Sequence, residues 1–252
     1  MSAAPASTEP WSRAEFEQRL RERGRAYHIH HPFNVMLNGG KATPEQIRGW
    51  VANRFYYQIN IPVKDAAILA NCEERAVRRN WVQRILDHDG HGDDPGGIES
   101  WLRLAEAVGL ERAEVESLRL VLPGVRFAVD SYVDLVGKGS LLEAVSSSLT
   151  ELFAGNLIAL RLDAMRKHYP WLAGGLAYFQ GRLTQAPEDA AFAFDYAFTH
   201  ATTPELQQAV LESLRKKCAL LWAQLDAIYY SYVEPGNIPP SPGVFRPAEV
   251  SP

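Results

Sequence analysis

The sequence predicts an all-α protein folded as a compact helical bundle. Apolar residues recur one helical turn apart along most of the chain, helix-start signals are frequent, and neither a convincing alternating strand pair nor an internal repeat occurs. Of the 252 residues, 46% are hydrophobic, which is enough for a substantial core. These features favour helices packed on helices over a fold that contains a sheet.

The first two helix starts carry complete capping signals. Ser12 is followed three residues later by Glu15, directly before the apolar positions Phe16 and Leu20. At residues 43–46 a threonine cap precedes a proline at the first helical position and a glutamine at the third. Helices are therefore predicted to begin at about residues 13 and 44.

Further helical patterns follow along the chain, with ends defined to within a few residues. They cover residues 73–88, 98–108, 112–120, 127–136, 141–167, 187–199 and 204–232. Pro62 lies inside the pattern that begins at residue 44, and because proline lacks the N–H that continues a helix, we expect a kink or break there. Residues 87–97, with four glycines and a proline among aspartates, are predicted to form a loop.

The predicted helices define the organisation of the chain. Residues 1–11 are expected to be a flexible N-terminus and residues 12–233 a single helical catalytic domain. Residues 234–252 are rich in proline and are expected to form an extended or partly disordered tail.

Composition narrows the class of protein. A formal net charge of −4 and a pI near 6.0 argue against a nucleic-acid partner. Cys72 and Cys218 lack the spacing of a metal site or a disulfide framework, which favours a reducing cytoplasm. Without a leader pattern or a stretch long enough to span a membrane, we expect a soluble cytoplasmic protein with no membrane partner.

Four predicted helices place ionisable or strongly hydrogen-bonding side chains in stripes that should be apolar. The stripes are Ile47, Trp50, Arg54, Gln58 and Ile61; Trp81, Arg84, Ile85 and His88; Thr150, Phe153, Leu157 and Arg161; and Leu214, Lys217, Leu221, Leu225 and Ile228. Buried charge is costly unless it is paired or answers a ligand. Because these three arginines and one lysine have no acidic partner on the same faces, we expect an anionic ligand in a pocket inside the bundle.

Other interpretations of these residues remain open. Arg84 could pair with Asp87 on a helix surface, and Arg54 could reach water from its aromatic neighbours. No histidine has a glutamate three residues before it, which disfavours a helical di-iron carboxylate site. The His88–Asp89 doublet, with His28, His30 or His31 and Asp130, is compatible with an all-helical metal phosphohydrolase. A scaffold protein is a further alternative, but it would leave the buried cations unexplained.

Six segments carry a resemblance to a known family. They read YHIHHP at 27–32, WVANRFYYQ at 50–58, IPVKDAA at 61–67, QRILDHDG at 83–90, SSLTELF at 147–153 and RLTQA at 182–186. In this order the motifs resemble the pyrroloquinoline-quinone synthase (PqqC) family, and the likeness extends from about Phe16 to Tyr232. The resemblance implies a haem-oxygenase-like bundle that forms a homodimer and uses no haem, metal or organic redox cofactor.

The resemblance also implies a reaction. It is the last step of pyrroloquinoline quinone (PQQ) formation, in which a tricarboxylated bicyclic quinone precursor (AHQQ) undergoes ring closure and an eight-electron oxidation by O2. Hydrogen peroxide is released. Several fixed cations suit a substrate with several carboxylates, and arginine is well shaped for a planar carboxylate. Whether a carrier protein of the pathway delivers the precursor or accepts PQQ is left open.

Matching the family's motifs residue by residue implies the following roles. His88 is the leading general base and part of the oxygen site, with Tyr178 and Arg182 beside it; His28 is a second acid/base, and Lys217 an electrostatic contact. The implied substrate contacts are Tyr27, Arg54, Gln58, Arg84, Tyr132, Thr150 and Arg161. One departure is Ile158, since some family members carry a histidine three residues before the arginine matched by Arg161. The role of that histidine cannot be transferred to this chain.

Overall fold

The computed structural model describes residues 9–234, and within them eleven α-helices and no strands occur. The helices are α1 (Arg13–Glu22), α2 (Pro32–Asn38), α3 (Pro44–Ala70), α4 (Arg75–Asp89), α5 (Gly96–Ala107), α6 (Arg112–Glu116), α7 (Pro123–Lys138), α8 (Leu141–Ser147), α9 (Glu151–His168), α10 (Ala177–His200) and α11 (Pro204–Tyr232). Short 3-10 helices occupy Arg23–Ala26, His28–His30, Ser148–Thr150 and Pro170–Gly175. The all-α prediction is confirmed. The expected tail at 234–252 falls, apart from Glu234, outside the described residues, as do residues 1–8 of the expected flexible N-terminus.

The capping signals act as the sequence predicts. Ser12 accepts a hydrogen bond from the Glu15 amide while the Glu15 carboxylate reaches back to the Ser12 amide. Thr43 and Gln46 make the same reciprocal pair at the start of α3. Local hydrogen bonding therefore sets both helix starts.

Two prolines lie inside helices where we expected interruptions. α3 runs without a break through Pro62, and α10 begins at Ala177 and passes through Pro187, which we predicted to start a helix. An internal proline costs about 3 kcal/mol through one lost backbone bond and a local clash. Both helices bury side chains along their whole length, and this burial outweighs the local cost.

Two predicted helices are shorter than expected. Residues 141–167 are divided into α8 and α9 by the buried 3-10 turn Ser148–Thr150. The helix predicted at 112–120 ends at Glu116, and the backbone φ of Leu118 is 58°, a left-handed value that cannot continue a right-handed helix.

Two hydrophobic clusters form the core. One surrounds Trp50, Trp101 and Leu122, and the other surrounds Phe16, Trp81 and Leu214. α3 and α11 contribute to both clusters and pack against each other and against α7, so these long helices connect the two hydrophobic clusters. No helix within residues 9–234 has the length and apolar character needed to cross a membrane.

Candidate active site

A cavity opens inside the bundle where side chains from both clusters meet. Eleven of the twelve predicted site residues line it: Tyr27, His28, Arg54, Gln58, Arg84, His88, Tyr132, Thr150, Arg161, Tyr178 and Arg182. The twelfth, Lys217, lies directly behind the wall, with its Nζ 2.8 Å from the Tyr57 hydroxyl and 3.1 Å from the centre of the Tyr132 ring. Six α-helices and two 3-10 helices thus bring residues from distant parts of the sequence to one space.

One side of the cavity carries cations without acidic partners. Within residues 9–234, no carboxylate lies within 4.0 Å of the charged nitrogens of Arg54, Arg161 or Lys217. Arg161 donates instead to the side-chain oxygens of Asn34 and Asn38, both at 2.6 Å. Arg54 donates to Gln224 at 3.2 Å and stacks on Tyr57.

The charges on this side act on one another. Burial and the neighbouring Arg54 lower the pKa of Arg161 to about 9. Burial, with Arg54 and Lys64 nearby, holds the pKa of Lys217 well below its usual range. Removing these groups from water costs free energy, and no carboxylate of residues 9–234 lies in contact with them to offset it; such a group of cations is suited to an anionic ligand.

Arg84 and Arg182 form the other side and are paired with acids. Arg84 lies 2.8 Å from Asp189, 3.5 Å from Glu151 and 3.6 Å from Asp65, while Arg182 lies 3.0 Å from Glu151 and 3.1 Å from Asp189. Burial opposes the charge of both guanidinium groups, but the carboxylates raise both pKa values. The expectation that Arg84 lacks acidic partners is therefore wrong, because its partners come from α3, α9 and α10 and not from its own helix face.

A second ion pair adjoins Arg84 and was missed in the sequence. Lys64 lines the cavity and pairs with the completely buried Asp65, which also accepts a hydrogen bond from the Trp81 indole at 2.8 Å. Lys64 and Asp65 are adjacent in α3, within the motif at 61–67. That adjacency was the available signal for a buried pair.

His88 is oriented by its own helix. Its Nδ1 lies 2.9 Å from the carbonyl oxygen of Arg84, and since a carbonyl only accepts, Nδ1 carries the hydrogen and Nε2 keeps a lone pair. Nε2 is buried and makes no hydrogen bond to any residue in 9–234. Burial, helped by Arg182, lowers the pKa of His88 to about 4, so the imidazole is neutral at neutral pH.

The chain folds back tightly after His88. Gly90 and Gly96 have φ values of 87° and 78°, and a Cβ atom at Gly96 would lie 2.6 Å from the carbonyl oxygen of His88. Only glycine fits such a close approach in this backbone conformation. The turn holds the end of α4 against the start of α5, and so fixes the position of His88.

Other buried polar atoms of cavity-lining residues have no hydrogen-bond partner within residues 9–234. Nδ1 of His28 and both amide atoms of the fully buried Gln58 are not hydrogen-bonded within residues 9–234. Burial and the positive charges of Arg54, Arg161 and Lys217 hold the pKa of His28 well below its usual range. Because buried polar groups are nearly always satisfied in folded proteins, these atoms are the ones that a polar ligand in the cavity could satisfy.

The remaining predicted residues contribute hydroxyl groups, and their aromatic rings pack into the cavity wall. Burial raises the pKa of Tyr27, so its phenol stays protonated, and its ring packs edge-on against His28. Tyr132 lies with its hydroxyl 3.4 Å from Ser147, and Tyr178 packs edge-on against Trp101 at 5.0 Å. Thr150 is the last residue of the buried 3-10 turn.

Ile158 lies in the cavity wall with Arg161 on the same face of α9. This position presents only hydrocarbon, so no proton can pass through its side chain. Arg161 acts electrostatically on His28, which also lines the cavity.

Of the residues considered for a metal phosphohydrolase, only His28 and His88 line the cavity. Asp130 is exposed and accepts from the Tyr56 hydroxyl at 2.6 Å, while His31 lies 3.0 Å from Asp226. Asp89 is exposed at the end of α4. Within residues 9–234, no group of three or more His, Cys, Asp or Glu side chains has an arrangement that could hold a metal ion.

Comparison with known proteins defines the class to which this fold and cavity belong. A sequence profile of the TENA/THI-4/PQQC family matches residues 13–227, and the chain belongs to that family. The fold is of the haem-oxygenase-like type. A domain of unknown function with a heme oxygenase-like fold from Shewanella denitrificans superposes with a TM-score of 0.74 at 14% identity, over 90% of this chain and 97% of that one. A TenA homolog from Pseudomonas syringae gives a TM-score of 0.70 at 13% identity, over 89% of this chain and all of the homolog.

Curated relatives narrow the position within the family. The chain is 56% identical to a pyrroloquinoline-quinone synthase of Acinetobacter baylyi, over 90% of this chain and 89% of the relative. It is 58% identical to a pyrroloquinoline-quinone synthase of Pseudomonas aeruginosa, over 87% of this chain and 88% of the relative. The resemblance found in the sequence motifs is confirmed.

Proposed function

We propose that the chain catalyses the final step of PQQ biosynthesis. The tricarboxylated precursor undergoes ring closure and an eight-electron oxidation by O2, with release of hydrogen peroxide and without a metal or organic redox cofactor. The observation that carries the proposal is a cavity lined by Arg54, Arg161 and the neutral His88, with Lys217 directly behind its wall. Nε2 of His88 makes no hydrogen bond within residues 9–234. The names of the curated relatives support it.

The charges suit this substrate. A planar carboxylate can accept two parallel hydrogen bonds from a guanidinium group, and this side of the cavity offers Arg54 and Arg161, with Lys217 behind the wall adding positive charge. The buried amide of Gln58 and the hydroxyl groups of Tyr27, Tyr132 and Thr150 can bond to the remaining polar atoms of the substrate. These contacts bind and orient the substrate before any proton moves.

His88 is the proposed general base. His88 lines the cavity, and the hydrogen bond from Nδ1 to the Arg84 carbonyl holds the ring in the tautomer that accepts a proton at Nε2. Deprotonation makes the substrate electron-rich, so that it can give electrons to O2, and reduction of each O2 to hydrogen peroxide takes two electrons and two protons. Arg182, with Tyr178 nearby, stabilises negative charge that develops on oxygen, and His28 exchanges protons on the opposite side.

Two experiments test the proposal. Titration with PQQ, followed by ultraviolet-visible spectroscopy, should give a tight and stoichiometric spectral change. Precursor mixed with the enzyme and O2 should yield PQQ and hydrogen peroxide. A protein that neither binds PQQ nor consumes precursor would refute the assignment.

We also propose that the protein is a cytoplasmic homodimer, as the family resemblance implies. Light scattering coupled to size-exclusion chromatography should give twice the chain mass of 28.1 kDa. A mass of one chain across the working concentration range would contradict the dimer.

A further inference from the structure

Glu151 and Asp189 form ion pairs with the guanidinium groups of Arg84 and Arg182, which an anionic substrate would otherwise bind. Glu151 bridges the two arginines, with Oε1 3.5 Å from Arg84 and Oε2 3.0 Å from Arg182. Asp189 places a single oxygen, Oδ2, 2.8 Å from Arg84 and 3.1 Å from Arg182. Two cations and two anions thus close a ring whose formal charge is zero.

The neighbours of the ring supply little spare positive charge: Lys217 acts on Glu151 from α11, but burial holds the pKa of Lys217 well below its usual range. Lys64 of α3 also faces Glu151, but it is matched by Asp65, and His88 of α4 is neutral. A substrate carboxylate that binds Arg84 and Arg182 would add a third negative charge beside two existing ones. In a buried site such crowding strongly favours protonation of one carboxylate.

The ring is also open to solvent on its far side. Glu151 lines the cavity and, in addition, an outer groove between α1, α9 and α10 that includes Arg13, Asn156 and Asp195. The side chains of Glu151 and Asp189 are 19% and 11% exposed, whereas those of Arg84 and Arg182 are 6% and 7% exposed. A proton can therefore reach the ring from bulk water through Glu151 without crossing the substrate.

We propose that binding of a substrate carboxylate at Arg84 and Arg182 is coupled to the uptake of one proton from solvent by the Glu151–Asp189 pair. The proposal rests on the proposed function, since it assumes a ligand with several carboxylates. One carboxylate oxygen gains a proton, no electron moves, and the neutral acid releases its share of the guanidinium N–H groups to the substrate. One protein carboxylate loses its negative charge as one substrate carboxylate arrives, so the net charge around the two arginines does not change.

Asp189 is the principal acceptor. Burial raises its pKa, and although Arg84 and Arg182 oppose the rise, the adjacent Glu151 adds to it. The pKa of Glu151 is lowered, since Arg182 and Arg84 outweigh its burial. Two other groups compete for the proton, since each would gain affinity for it beside an anionic ligand: Nε2 of His88, and Lys217 behind the cavity wall, whose pKa burial holds well below its usual range.

Calorimetry separates these acceptors. PQQ, which is the product and keeps the carboxylates of the precursor, is titrated into the full chain at near-neutral pH in buffers of different ionisation enthalpy. The slope of observed enthalpy against ionisation enthalpy counts the protons taken up. We expect about one proton per PQQ bound, with affinity falling up to about tenfold for each unit rise in pH.

Variants assign that proton. Asp189→Asn and Glu151→Gln should each bring the count close to zero, because a neutral amide leaves the ring with a surplus positive charge that the substrate can neutralise. His88→Asn should keep the count of the wild type. Glu99→Gln is the matched control, since Glu99 pairs with Arg103 and Arg112 away from the cavity and its loss should leave the count unchanged.

The outcomes are distinct. Proton uptake that persists in both carboxylate variants, or that disappears in His88→Asn, would overturn the assignment to the Glu151–Asp189 pair. PQQ binding by the wild type without proton uptake would overturn this inference and leave the proposed function standing. Absence of PQQ binding would overturn both. Circular dichroism checks each variant, and if a carboxylate variant does not fold, the counts for the wild type and His88→Asn decide the matter.

Discussion

The Nδ1 atom of His88 lies 2.9 Å from the carbonyl oxygen of Arg84, one helical turn earlier in α4. This bond assigns the hydrogen to Nδ1 and leaves Nε2 free to accept a proton. The helix that directs the Arg84 guanidinium toward the cavity therefore also sets the tautomer of the histidine. A base and a cation are oriented by one turn of backbone.

His88→Asn should retain PQQ and precursor binding but lose turnover. Asparagine keeps some hydrogen bonding but cannot accept and return a proton, so we expect a loss on the order of 10² to 10⁴ in turnover, with a partly oxidised intermediate accumulating. Stopped-flow spectra of the variant with precursor and O2 measure this.

His200→Asn is the matched control. Nδ1 of His200 makes the same bond to a carbonyl one turn earlier, that of Tyr196 at 2.8 Å, but outside the cavity. We expect this control to turn over like the wild type. His88→Asn turning over at the rate of this control would remove His88 as the principal base.

The same substitution should flatten the pH dependence of stability. An unfolded histidine titrates near 6.5, whereas burial, followed by the charge of Arg182, lowers the pKa of folded His88 to about 4. Between these values the unfolded chain binds one more proton, so stability falls as pH falls, by about 3 kcal/mol for this histidine. Urea unfolding across that window should show a correspondingly smaller decline for His88→Asn. Parallel curves for the two proteins would contradict the lowered pKa.

Arg84→Ala should mainly lose folding stability, whereas Arg161→Ala should mainly lose PQQ affinity. Removing Arg84 leaves Asp65, Glu151 and Asp189 short of a buried partner, which should lower the free energy of unfolding by about 3 to 5 kcal/mol. Arg161 has only amide partners and its loss relieves repulsion from Arg54, so that variant should stay folded and lose well over tenfold in PQQ affinity. Denaturant unfolding and PQQ titration of both variants measure the two effects. Equal losses of stability would show that the two sides of the cavity are not electrostatically distinct.

The enzyme should work without a transition metal. The cavity presents cations and no cluster of three metal-ligating side chains within residues 9–234, so we expect the purified protein to lack stoichiometric metal and to stay active in a strong chelator. Elemental analysis and precursor turnover test this. About one iron or manganese per chain, with activity lost on its removal, would overturn the cofactor-free mechanism.

Local signals explain which parts of the fold could be predicted. The predicted limits of α11, residues 204 and 232, match the structure because Thr203 caps it, Pro204 starts it and its apolar stripe runs to the end. Pro62 and Pro187 were misjudged because the local cost of a proline is visible in the sequence, whereas the burial that outweighs it depends on neighbouring helices.

The candidate site shows the same limit. Helical spacing was enough to place Arg84 and His88 on one inward face. It could not identify Glu151 and Asp189 as partners of Arg84, because they belong to α9 and α10 and meet α4 only in the folded bundle. Whether a buried cation is paired depends on tertiary contacts, so the partners of Arg84 could not be predicted from the spacing of residues along one helix.

Lys217→Met should make the protein more stable and a poorer binder. The Lys217 ammonium is buried between the Tyr57 hydroxyl and the Tyr132 ring, with no carboxylate within 4.0 Å among residues 9–234, so methionine of similar length removes an uncompensated charge. Burial lowers the pKa of folded Lys217 below the unfolded value of 10.5. Between the two values the unfolded chain binds the extra proton, so the wild type gains stability as pH rises and the stability advantage of the variant should shrink as pH approaches 10.5.

Lys216→Met, at the exposed neighbouring position, is the control and should change neither stability nor PQQ affinity. Thermal unfolding at several pH values measures stability, and PQQ titration measures affinity. A variant that is less stable yet binds PQQ normally would show that Lys217 stabilises the fold and does not contribute to ligand binding.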